Sequence, residues 1–327
     1  MKTTVKKFIS VLLVSLMLLT TAPLSGFVGL ELPEIPWTEI FTTKAGAAAN
    51  GICRTNLTWT LDDEGTLTIT GAGAMTNYSY SSVPWYQNRN SVKKVIIEKG
   101  VKSIGNSAFF RCSSLTAIKI PEGVTLIGDD AFCYCTSLTA IKIPEGVTSI
   151  GNTAFFGCSS LTAIEIPEGV TTIDNFAFER CTSLTAIEIP EGVTLIGAFA
   201  FAGCSSLTAI EIPEGVTLIG DYAFAGCSSL TDVYYGGTEE QWNNIVISIP
   251  TPITNAEKHF NFKYTLGDID NDNETSSADA RIALRASVGL EELSFEEKKA
   301  ADVDKDFIIT SADARTILRV SVGLEEL

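Results

Sequence analysis

The sequence predicts a solenoid of short stacked β-coils, followed by a small all-α module. Three observations support this prediction. A unit of 23 residues is repeated six times in the middle of the chain, two aspartate-rich loops lie near the C-terminus, and each loop runs into a nearly identical helical segment. Tandem units of this length cannot bury their apolar faces alone, so they must stack on one another.

The N-terminal residues have the pattern of an export signal. Three lysines among the first seven residues precede the apolar run Phe8 to Leu19, which is too short to span a bilayer. Cleavage after Ala22 would leave an unfavourable proline at the new N-terminus, so the small-residue stretch 45–49 is preferred, and both sites stay open. Residues 1–48 are assigned to a signal peptide and spacer. The mature protein is therefore predicted to be secreted and to reach any surface through a partner.

The formal net charge of −16 argues against nucleic acid or an anionic membrane as a partner, because both would repel the chain. This charge is unevenly distributed. Residues 266–327 hold 15 acidic and 7 basic side chains, a net charge of −8. Half of the excess negative charge thus lies in the last fifth of the chain, which indicates a bound cation.

The repeat can be followed through isoleucines that each begin a unit: Ile97, Ile120, Ile143, Ile166, Ile189 and Ile212. The unit from Ile120 to Lys142 reads I-P-E-G-V-T-L-I-G-D-D-A-F-C-Y-C-T-S-L-T-A-I-K. Its L-x-x-I-x-I stretch alternates apolar and polar residues, which predicts a half-buried strand, and Pro121 and Gly123 then turn the chain. Stacking of the coils would align one phenylalanine per unit in an internal column: Phe109, Phe132, Phe155, Phe178, Phe201 and Phe224.

The motifs I-P-E-G-V, I-G-x-x-A-F and C-S-S-L-T-x-I occur in the order that is typical of the BspA-like leucine-rich repeats of bacterial surface and secreted proteins, which this chain resembles from Cys53 to Tyr264. The resemblance implies a capped leucine-rich-repeat solenoid on an extracellular bacterial protein. Residues 51–96 would form an N-terminal cap with a β-hairpin, 97–234 the six repeats, and 235–264 a C-terminal cap. Such caps cover the apolar faces that the end coils would otherwise expose.

Six of the eight cysteines recur once in every 23-residue unit, whereas Cys53 and Cys133 lie outside this register. The six are Cys112, Cys135, Cys158, Cys181, Cys204 and Cys227. Neighbouring coils would bring their Cα atoms within disulfide range, but equivalent side chains point in parallel directions, so a ladder of small buried thiols is predicted. A bridge remains the alternative, and the pairing of Cys53 and Cys133 stays open.

The outward position of the repeated strand carries charged residues that form a ribbon along the coils: Lys119, Lys142, Glu165, Glu188 and Glu211. Glutamates roughly 4.8 Å apart resemble the carboxylate pair of a retaining glycosidase. A glutamate on successive coils is more typical of a solvated face, and neither G-x-S-x-G nor H-E-x-x-H occurs, so no enzyme activity is predicted. The ribbon is instead the candidate surface for a protein or plant polysaccharide. Phe110, Tyr134 and Phe156, where later units have small residues, suggest an apolar patch or further buried rings.

Two loops 34 residues apart have aspartates at steps 1, 3, 5 and 12. The predicted calcium ligands are Asp268, Asp270, Asp272, Glu274 and Asp279 in the first loop, and Asp302, Asp304, Asp306, Ile308 and Asp313 in the second, with backbone carbonyls at step 7. Each loop is predicted to hold one calcium ion. Step 6, usually glycine, is Asn273 or Phe307, and Phe307 adopts a positive φ less easily. The alternative is that the aspartates only cap helices.

The segments Ser276 to Leu293 and Thr310 to Leu327 match at 14 of 18 positions. Duplicated EF-hand-like loop-helix units at the end of an exported chain resemble a dockerin, the module that binds cohesin domains of cellulosome scaffolds, and the resemblance covers residues 266–327. It implies two alternative docking orientations and contacts to cohesin by Ser277, Ala278, Leu284, Arg285, Ser311, Ala312, Leu318 and Arg319. The predicted function is non-catalytic attachment of a binding solenoid to a scaffold. An accessory role in polysaccharide degradation and a passive spacer are the alternatives.

Overall fold

The computed structural model describes residues 47–249 and 252–327. The predicted export signal lies outside these residues. From residue 47 the chain forms a short antiparallel cap, a solenoid with two columns of parallel strands, a closing segment and a set of C-terminal helices. None of the helices in these two ranges is both long and apolar enough to cross a membrane.

The first strand column runs along the charged ribbon. Its members are β5 (Lys94–Ile97), β7 (Ala117–Lys119), β10 (Ala163–Glu165), β12 (Ala186–Glu188), β14 (Ala209–Ile212), β16 (Asp232–Tyr235) and β18 (Glu257–Phe260). Parallel pairs such as Glu165↔Glu188 join residues 23 apart, so equivalent residues of adjacent coils lie side by side. The second coil, which ends at Lys142, holds this place with residues 140–142, which are not assigned as a strand.

The second column is formed by shorter strands: β6 (Val101–Ser103), β8 (Leu126–Ile127), β9 (Ser149–Ile150), β11 (Thr172–Ile173), β13 (Leu195–Ile196), β15 (Leu218–Ile219) and β17 (Val246–Ile247). The inward side chain of each is an isoleucine or valine, whose branched shape suits a pleated, half-buried surface. The predicted leucine-rich-repeat solenoid is thereby confirmed.

The six phenylalanines form one internal column between the two strand columns, as predicted. All are fully buried, and consecutive rings stack with centroids 5.3 to 5.5 Å apart. Trp85 continues the column at its N-terminal end, 5.9 Å from Phe109, and its indole N–H donates to the carbonyl of Ala108. Because each ring packs on the ring of the next coil, the column holds adjacent coils together.

The N-terminal cap consists of β1 (Ala47–Arg54), β2 (Leu57–Asp62), β3 (Thr66–Gly71) and β4 (Gly73–Ala74), followed by a 3-10 helix (Tyr86–Ser91). The predicted pairing of β2 with β3 is present and antiparallel. Strand β3 then pairs in parallel with β5, so the hairpin continues the first column of the solenoid. This pairing covers the edge that the first coil would otherwise expose.

The closing segment contains α1 (Glu239–Asn243) and α2 (Pro252–Asn255). The helix α1 begins with a capping box in which Thr238 and Gln241 satisfy each other's backbone N–H groups. Its Trp242 packs edge-on against Tyr235, with ring centroids 5.3 Å apart. Although the sequence period is lost here, β17 and β18 still extend both strand columns, so the cap is built as one further coil.

The C-terminal residues form α3 (Ser277–Ser287), α4 (Phe295–Ala301) and α5 (Ser311–Ser321). The duplicated segments end their helices at residues 287 and 321, earlier than their full length, because Gly289 and Gly323 adopt a positive φ and close a Schellman turn. The helix α4 was not predicted. The core of this module is small and mostly alanine: Ile269, Ala280, Ala283, Leu293, Ala300, Ala301, Ala314 and Ile317.

Candidate calcium-binding and docking sites

The first aspartate loop brings together three of its predicted ligands. Carboxylate oxygens of Asp268, Asp270 and Asp279 lie within 4.8 Å of one another, and Asp268 and Asp279 are buried. The carboxylate of Asp268 also accepts hydrogen bonds from the backbone N–H groups of Asp272 (3.1 Å) and Asn273 (3.0 Å). The loop therefore wraps around its own first carboxylate.

The second loop is also wrapped around its first carboxylate, but its group of three differs. Asp302, Asp304 and Asp306 form this group at steps 1, 3 and 5, whereas the first loop uses steps 1, 3 and 12. Asp302 accepts from the N–H groups of Asp306 (3.1 Å) and Phe307 (2.8 Å). Phe307 has a φ of 66°, close to the 71° of Asn273. The bulky residue at step 6 therefore makes the same left-handed bend as asparagine, at some cost in backbone strain.

The aspartate at step 12 has a structural role in both loops. Asp279 accepts hydrogen bonds from the N–H groups of Ile269 (2.7 Å) and Ser276 (2.9 Å), and Asp313 does the same for Val303 (3.1 Å) and Thr310 (2.8 Å). Each thus ties the start of its loop to the start of its helix in a capping box. The alternative interpretation, in which the aspartates cap helices, therefore holds for Asp279 and Asp313. Asp279 also belongs to the group of three carboxylates in the first loop.

The remaining predicted ligands are placed differently. Asp272 and Asp313 lie outside the two groups of three, and the side chains of Glu274 and Ile308 are exposed. These last two could contribute only through their carbonyls, as the step-7 prediction requires.

The chemistry of both groups suits a hard cation. Burial is the main cause that raises the pKa of Asp302 to about 7, and the nearby carboxylates of Asp313 and Asp306 contribute to the same rise. Burial likewise raises the pKa of Asp306. Carboxylates forced this close together favour a proton or a metal ion, and calcium takes six to eight oxygen ligands of this kind. The donors therefore fit calcium.

The two duplicated helices present equivalent exposed residues. Both display a serine, a leucine and an arginine that were predicted to contact cohesin: Ser277, Leu284 and Arg285 on α3, and Ser311, Leu318 and Arg319 on α5. Ala278 and Ala312 are half-buried in the first turns, where their N–H groups donate to the capping hydroxyls of Ser276 and Thr310.

Two further features of this face were missed by sequence reasoning. Arg285 and Arg319 are each held by an ion pair, to Glu291 at 2.7 Å and to Glu325 at 2.9 Å. Large apolar side chains beyond the helix ends are also exposed: Val288, Leu290, Val322 and Leu324. The four apolar residues, Glu291 and Glu325 all lie in the shared S-V-G-L-E-E-L stretch, whose repetition was the sequence signal that could have revealed them. Leu284, Val288 and Leu290 in the first unit and Leu318, Val322 and Leu324 in the second are thus two equivalent sets of exposed apolar side chains, and we refer to the two sets together as the docking face.

The predicted ribbon is only partly open. Lys119 and Lys142 are exposed, and Glu165 is half-buried. The side chains of Glu188 and Glu211 are only 18% and 16% exposed, because Lys299 of α4 lies between them, with its Nζ 3.2 and 3.1 Å from their carboxylates. The expectation of a solvated acidic face is therefore wrong at these two coils.

The electrostatics follow from this contact. Burial alone would lower the pKa of Lys299, but Glu211 and Glu188 outweigh this effect and raise its pKa above the ordinary value. For Glu165 on the next coil, burial and the neighbouring carboxylates of Glu145 and Glu188 raise the pKa. The single histidine, His259, stacks on Tyr234 and its Nε2 lies 2.8 Å from Oδ1 of Asp232, so it links β18 to β16.

The model of the family described as the BspA type leucine rich repeat region matches residues 84–164 and 125–248, with six copies. The matched residues make up about half of the chain. This chain belongs to the BspA-type leucine-rich repeat family. The C-terminal module lies outside the matched segments.

Solved structures of leucine-rich repeat proteins are also similar. The T. pallidum leucine rich repeat protein is 23% identical, with 64% of this chain and 99% of that chain covered and a TM-score of 0.44. A protein from Eubacterium ventriosum is 24% identical, with 58% and 73% covered and a TM-score of 0.33. One from Bacteroides ovatus is 23% identical, with 56% and 70% covered and a TM-score of 0.27. No curated protein matches the chain.

The BspA-type repeat also carries an aromatic surface on the first coils. Tyr80 packs on Phe110 at 4.4 Å, and Tyr134 meets Phe156 at 5.1 Å. Arg111 lies over the rings of Phe110 and Tyr134 at 5.3 and 5.2 Å. Gly157 leaves room for this arrangement, since a Cβ there would lie 2.8 Å from the ring of Tyr134. Tyr80 is exposed and the other three rings are half-buried, so the apolar patch suggested by the sequence is present.

The cysteine ladder of the BspA-type coils is confirmed as a set of buried free thiols. From the second coil onward, each Sγ donates to the carbonyl of the phenylalanine that lies 26 residues earlier, at 3.1 to 3.2 Å. The thiols therefore add a row of hydrogen bonds between adjacent coils. Cys53 and Cys133 are likewise buried and unbridged.

Thiol labelling tests this ladder. We expect Ellman's reagent to react with none of the eight cysteines in the folded protein, because burial excludes the reagent and raises the pKa of thiols such as Cys112 and Cys227 to about 12. Unfolding in guanidinium without reductant should then expose all eight. Six or fewer thiols after unfolding would show a disulfide and contradict the ladder.

Proposed function

We propose that this BspA-type chain is a secreted, non-catalytic binding protein of a bacterial surface assembly, which attaches to a cohesin-bearing scaffold through a calcium-loaded C-terminal dockerin. The observation that carries the proposal is the duplication of the loop-helix unit in three dimensions. Both loops gather three aspartates, both use the step-12 aspartate to cap the next helix, and both helices expose the same residues.

The docking face supports a binding role for these helices. Soluble proteins rarely leave six large apolar side chains exposed on so small a module, and such patches mark interaction sites. The arginines held beside them supply charged contacts at the rim. Because α3 and α5 offer equivalent residues, a partner could dock in either of two orientations related by a half-turn.

A test of the dockerin compares single and double variants of the full chain. We expect Leu284→Asp or Leu318→Asp alone to weaken cohesin binding by only about twofold, since the other orientation remains available. The double variant should lose about 30-fold or more, because both apolar anchors are gone. Binding would be measured by calorimetry against a panel of cohesin types in calcium.

The matched control is Leu126→Asp, an exposed leucine of the solenoid, which should leave cohesin binding unchanged. Equal large losses in both single variants would exclude two equivalent orientations. A wild-type protein that binds no cohesin of any type would refute attachment through a dockerin.

The solenoid is proposed to bind the target of this attachment, a protein or a polysaccharide. The aromatic surface of Tyr80, Phe110, Tyr134 and Phe156 supports this role over a passive spacer, because rings that are partly open to solvent are not needed to fill the core. A Tyr134→Ala, Phe156→Ala double variant of the full chain should lose binding to fibre or cell-surface material. Unchanged binding would favour the spacer.

A further inference from the structure

At the acidic end of the ribbon, two glutamates bind one lysine side chain of the C-terminal module. Glu188 and Glu211 occupy equivalent positions of adjacent coils, so their carboxylates lie side by side and would repel each other alone. The Lys299 Nζ lies 3.2 Å from Glu188 and 3.1 Å from Glu211, and its side chain is only 16% exposed. The Tyr264 ring centroid lies 5.1 Å from the same Nζ. The ion pairs are thus largely shielded from solvent, where they are stronger than on an open surface.

An aromatic cluster lies at the adjoining end of the solenoid. Phe295, the first residue of α4, stacks on Tyr234 of β16 with ring centroids 4.2 Å apart. Phe262 contacts both rings, at 4.7 Å from Tyr234 and 5.9 Å from Phe295. The helix α4 is therefore anchored at one end by stacking and near the other end by Lys299. We call this contact surface on the solenoid the seat.

The second loop reaches the same seat. Lys305 is step 4 of this loop, between Asp304 and Asp306, and its Nζ lies 3.6 Å from Oε1 of Glu188. That oxygen is also bonded by Lys299, and it accepts from the hydroxyl of Tyr264 at 3.4 Å. Helix, loop and connecting segment thus converge on one carboxylate oxygen of the ribbon.

The two lysines that contact the seat and the second loop belong to one short segment. The N–H of Asp302, the first loop residue, donates to the carbonyl of Lys298 and so completes α4. Lys305 has a left-handed φ of 56°, the conformation that Asn271 adopts at the same step of the first loop. A ligand that holds Asp302, Asp304 and Asp306 would therefore also fix the backbone from which Lys305 reaches Glu188.

We infer that calcium in the second loop and attachment of the module to the seat stabilise one another, whereas the first loop binds calcium independently of the solenoid. This inference rests on the proposed calcium-binding function of the loops. Coupling between two sites is reciprocal, so the seat raises the calcium affinity of the second loop by the same factor as calcium strengthens the seat. The first loop carries Asn271 in place of Lys305 and cannot form the equivalent ion pair.

The functional consequence is a fixed presentation of the docking face. In calcium, the solenoid and the C-terminal module move as one body, so a scaffold bound to α3 or α5 would hold the aromatic surface of the solenoid in a defined direction. Without calcium, the segment from Lys299 to Lys305 loses its order and the module loses its attachment to the seat. The calcium-rich exterior would then favour the rigid form.

Calorimetric titration of the calcium-depleted full chain with calcium chloride tests the coupling. The wild type should bind two ions. In the Glu188→Gln, Glu211→Gln double variant, one of the two binding steps should weaken by about 5-fold to 150-fold, the usual range for coupled sites, while the other stays unchanged. Lys305→Asn, which copies the first loop, should weaken the same step. Glu168→Gln, an exposed glutamate of the ribbon side, is the matched control and should change neither step.

Limited trypsin digestion gives a second readout that does not depend on affinity. Cleavage after Lys299 and Lys305 should be slow in calcium and fast in chelator for the wild type, and fast in both for the Glu188→Gln, Glu211→Gln variant. Circular dichroism would confirm that the variant solenoid is folded. Two unchanged calcium steps and unchanged protection in the variant would overturn the inference and leave the calcium sites standing. A wild type that binds no calcium would overturn both proposals.

Discussion

Replacement of Phe178 by alanine is expected to lower the free energy of unfolding by about 3 to 5 kcal/mol. Phe178 is 0% exposed and stacks between Phe155 at 5.4 Å and Phe201 at 5.5 Å, with nearly parallel rings. Removal of the ring leaves a cavity in the middle of the column and breaks the contact between two pairs of coils. In a solenoid, where each coil contacts only its neighbours, such a gap weakens the cooperativity of the whole rod.

Urea unfolding followed by circular dichroism would measure this loss. The control is Tyr222→Ala, an aromatic residue of the sixth repeat unit that is 43% exposed, which should change the stability by less than about 1 kcal/mol. A loss below about 1 kcal/mol for Phe178→Ala would mean that the coils do not depend on the column.

Removal of calcium is expected to unfold the C-terminal module while the solenoid stays folded. The module has a core made mostly of alanine and a net charge of −8, so it has little apolar area to offset the repulsion. Each site should add about 2.7 kcal/mol when calcium is in 100-fold excess over its dissociation constant. Scanning calorimetry should show a low-temperature transition in chelator that moves upward when calcium is added.

Asp279→Ala should reduce the calcium stoichiometry from two to one. This buried carboxylate is a predicted ligand, and it holds the first loop in shape by accepting hydrogen bonds from the N–H groups of Ile269 and Ser276. Glu274→Ala should still bind two ions, since step 7 is predicted to use only the backbone carbonyl. If the wild type shows a single thermal transition whose temperature does not change with calcium, calcium-dependent folding of the module is wrong.

The calcium effect should also depend on pH. The pKa of Asp302 rises from an ordinary 3.8 to about 7 in the calcium-free fold, so protonation of this group favours the folded state. Its contribution is fully present below about pH 4 and is lost as the pH rises toward 7. Calcium binds the ionised carboxylate, so the gain in stability from calcium should be larger at pH 8 than at pH 5.5. An equal gain at both values would exclude Asp302 as a ligand.

Much of the candidate site could be read from spacing because its residues are local. Both aspartate groups lie within 12 residues of the chain, and the helices that follow start one residue after the predicted Ser276 and Thr310, which are their N-caps. Phe307 was the weakest residue of the prediction, yet hydrogen bonds from the loop to Asp302 hold it in the required left-handed bend. That outcome depends on several bonds formed together, which a preference for one residue type does not reveal.

The contacts of Lys299 and Phe295 could not be predicted in this way. Nothing in the local pattern of α4 distinguishes Lys299 from its neighbour Lys298, and the helix itself is short. Its partners on β12 and β14 lie in a different part of the chain, and the charges of all the ribbon glutamates look equivalent in sequence. Only the packing of the module on the solenoid selects Glu188 and Glu211.

The sequence by itself determined the repeat, the phenylalanine column, the cysteine ladder and the two aspartate loops. Each of these follows from a fixed period or from ligand spacing within one short segment, so it can be predicted without knowledge of the rest of the fold. The tertiary structure decided which half of the ribbon stays open, where α4 lies and which carboxylates pair with lysine. These features arise where distant segments meet, and the energy of such contacts depends on burial and geometry that the periodic pattern does not contain.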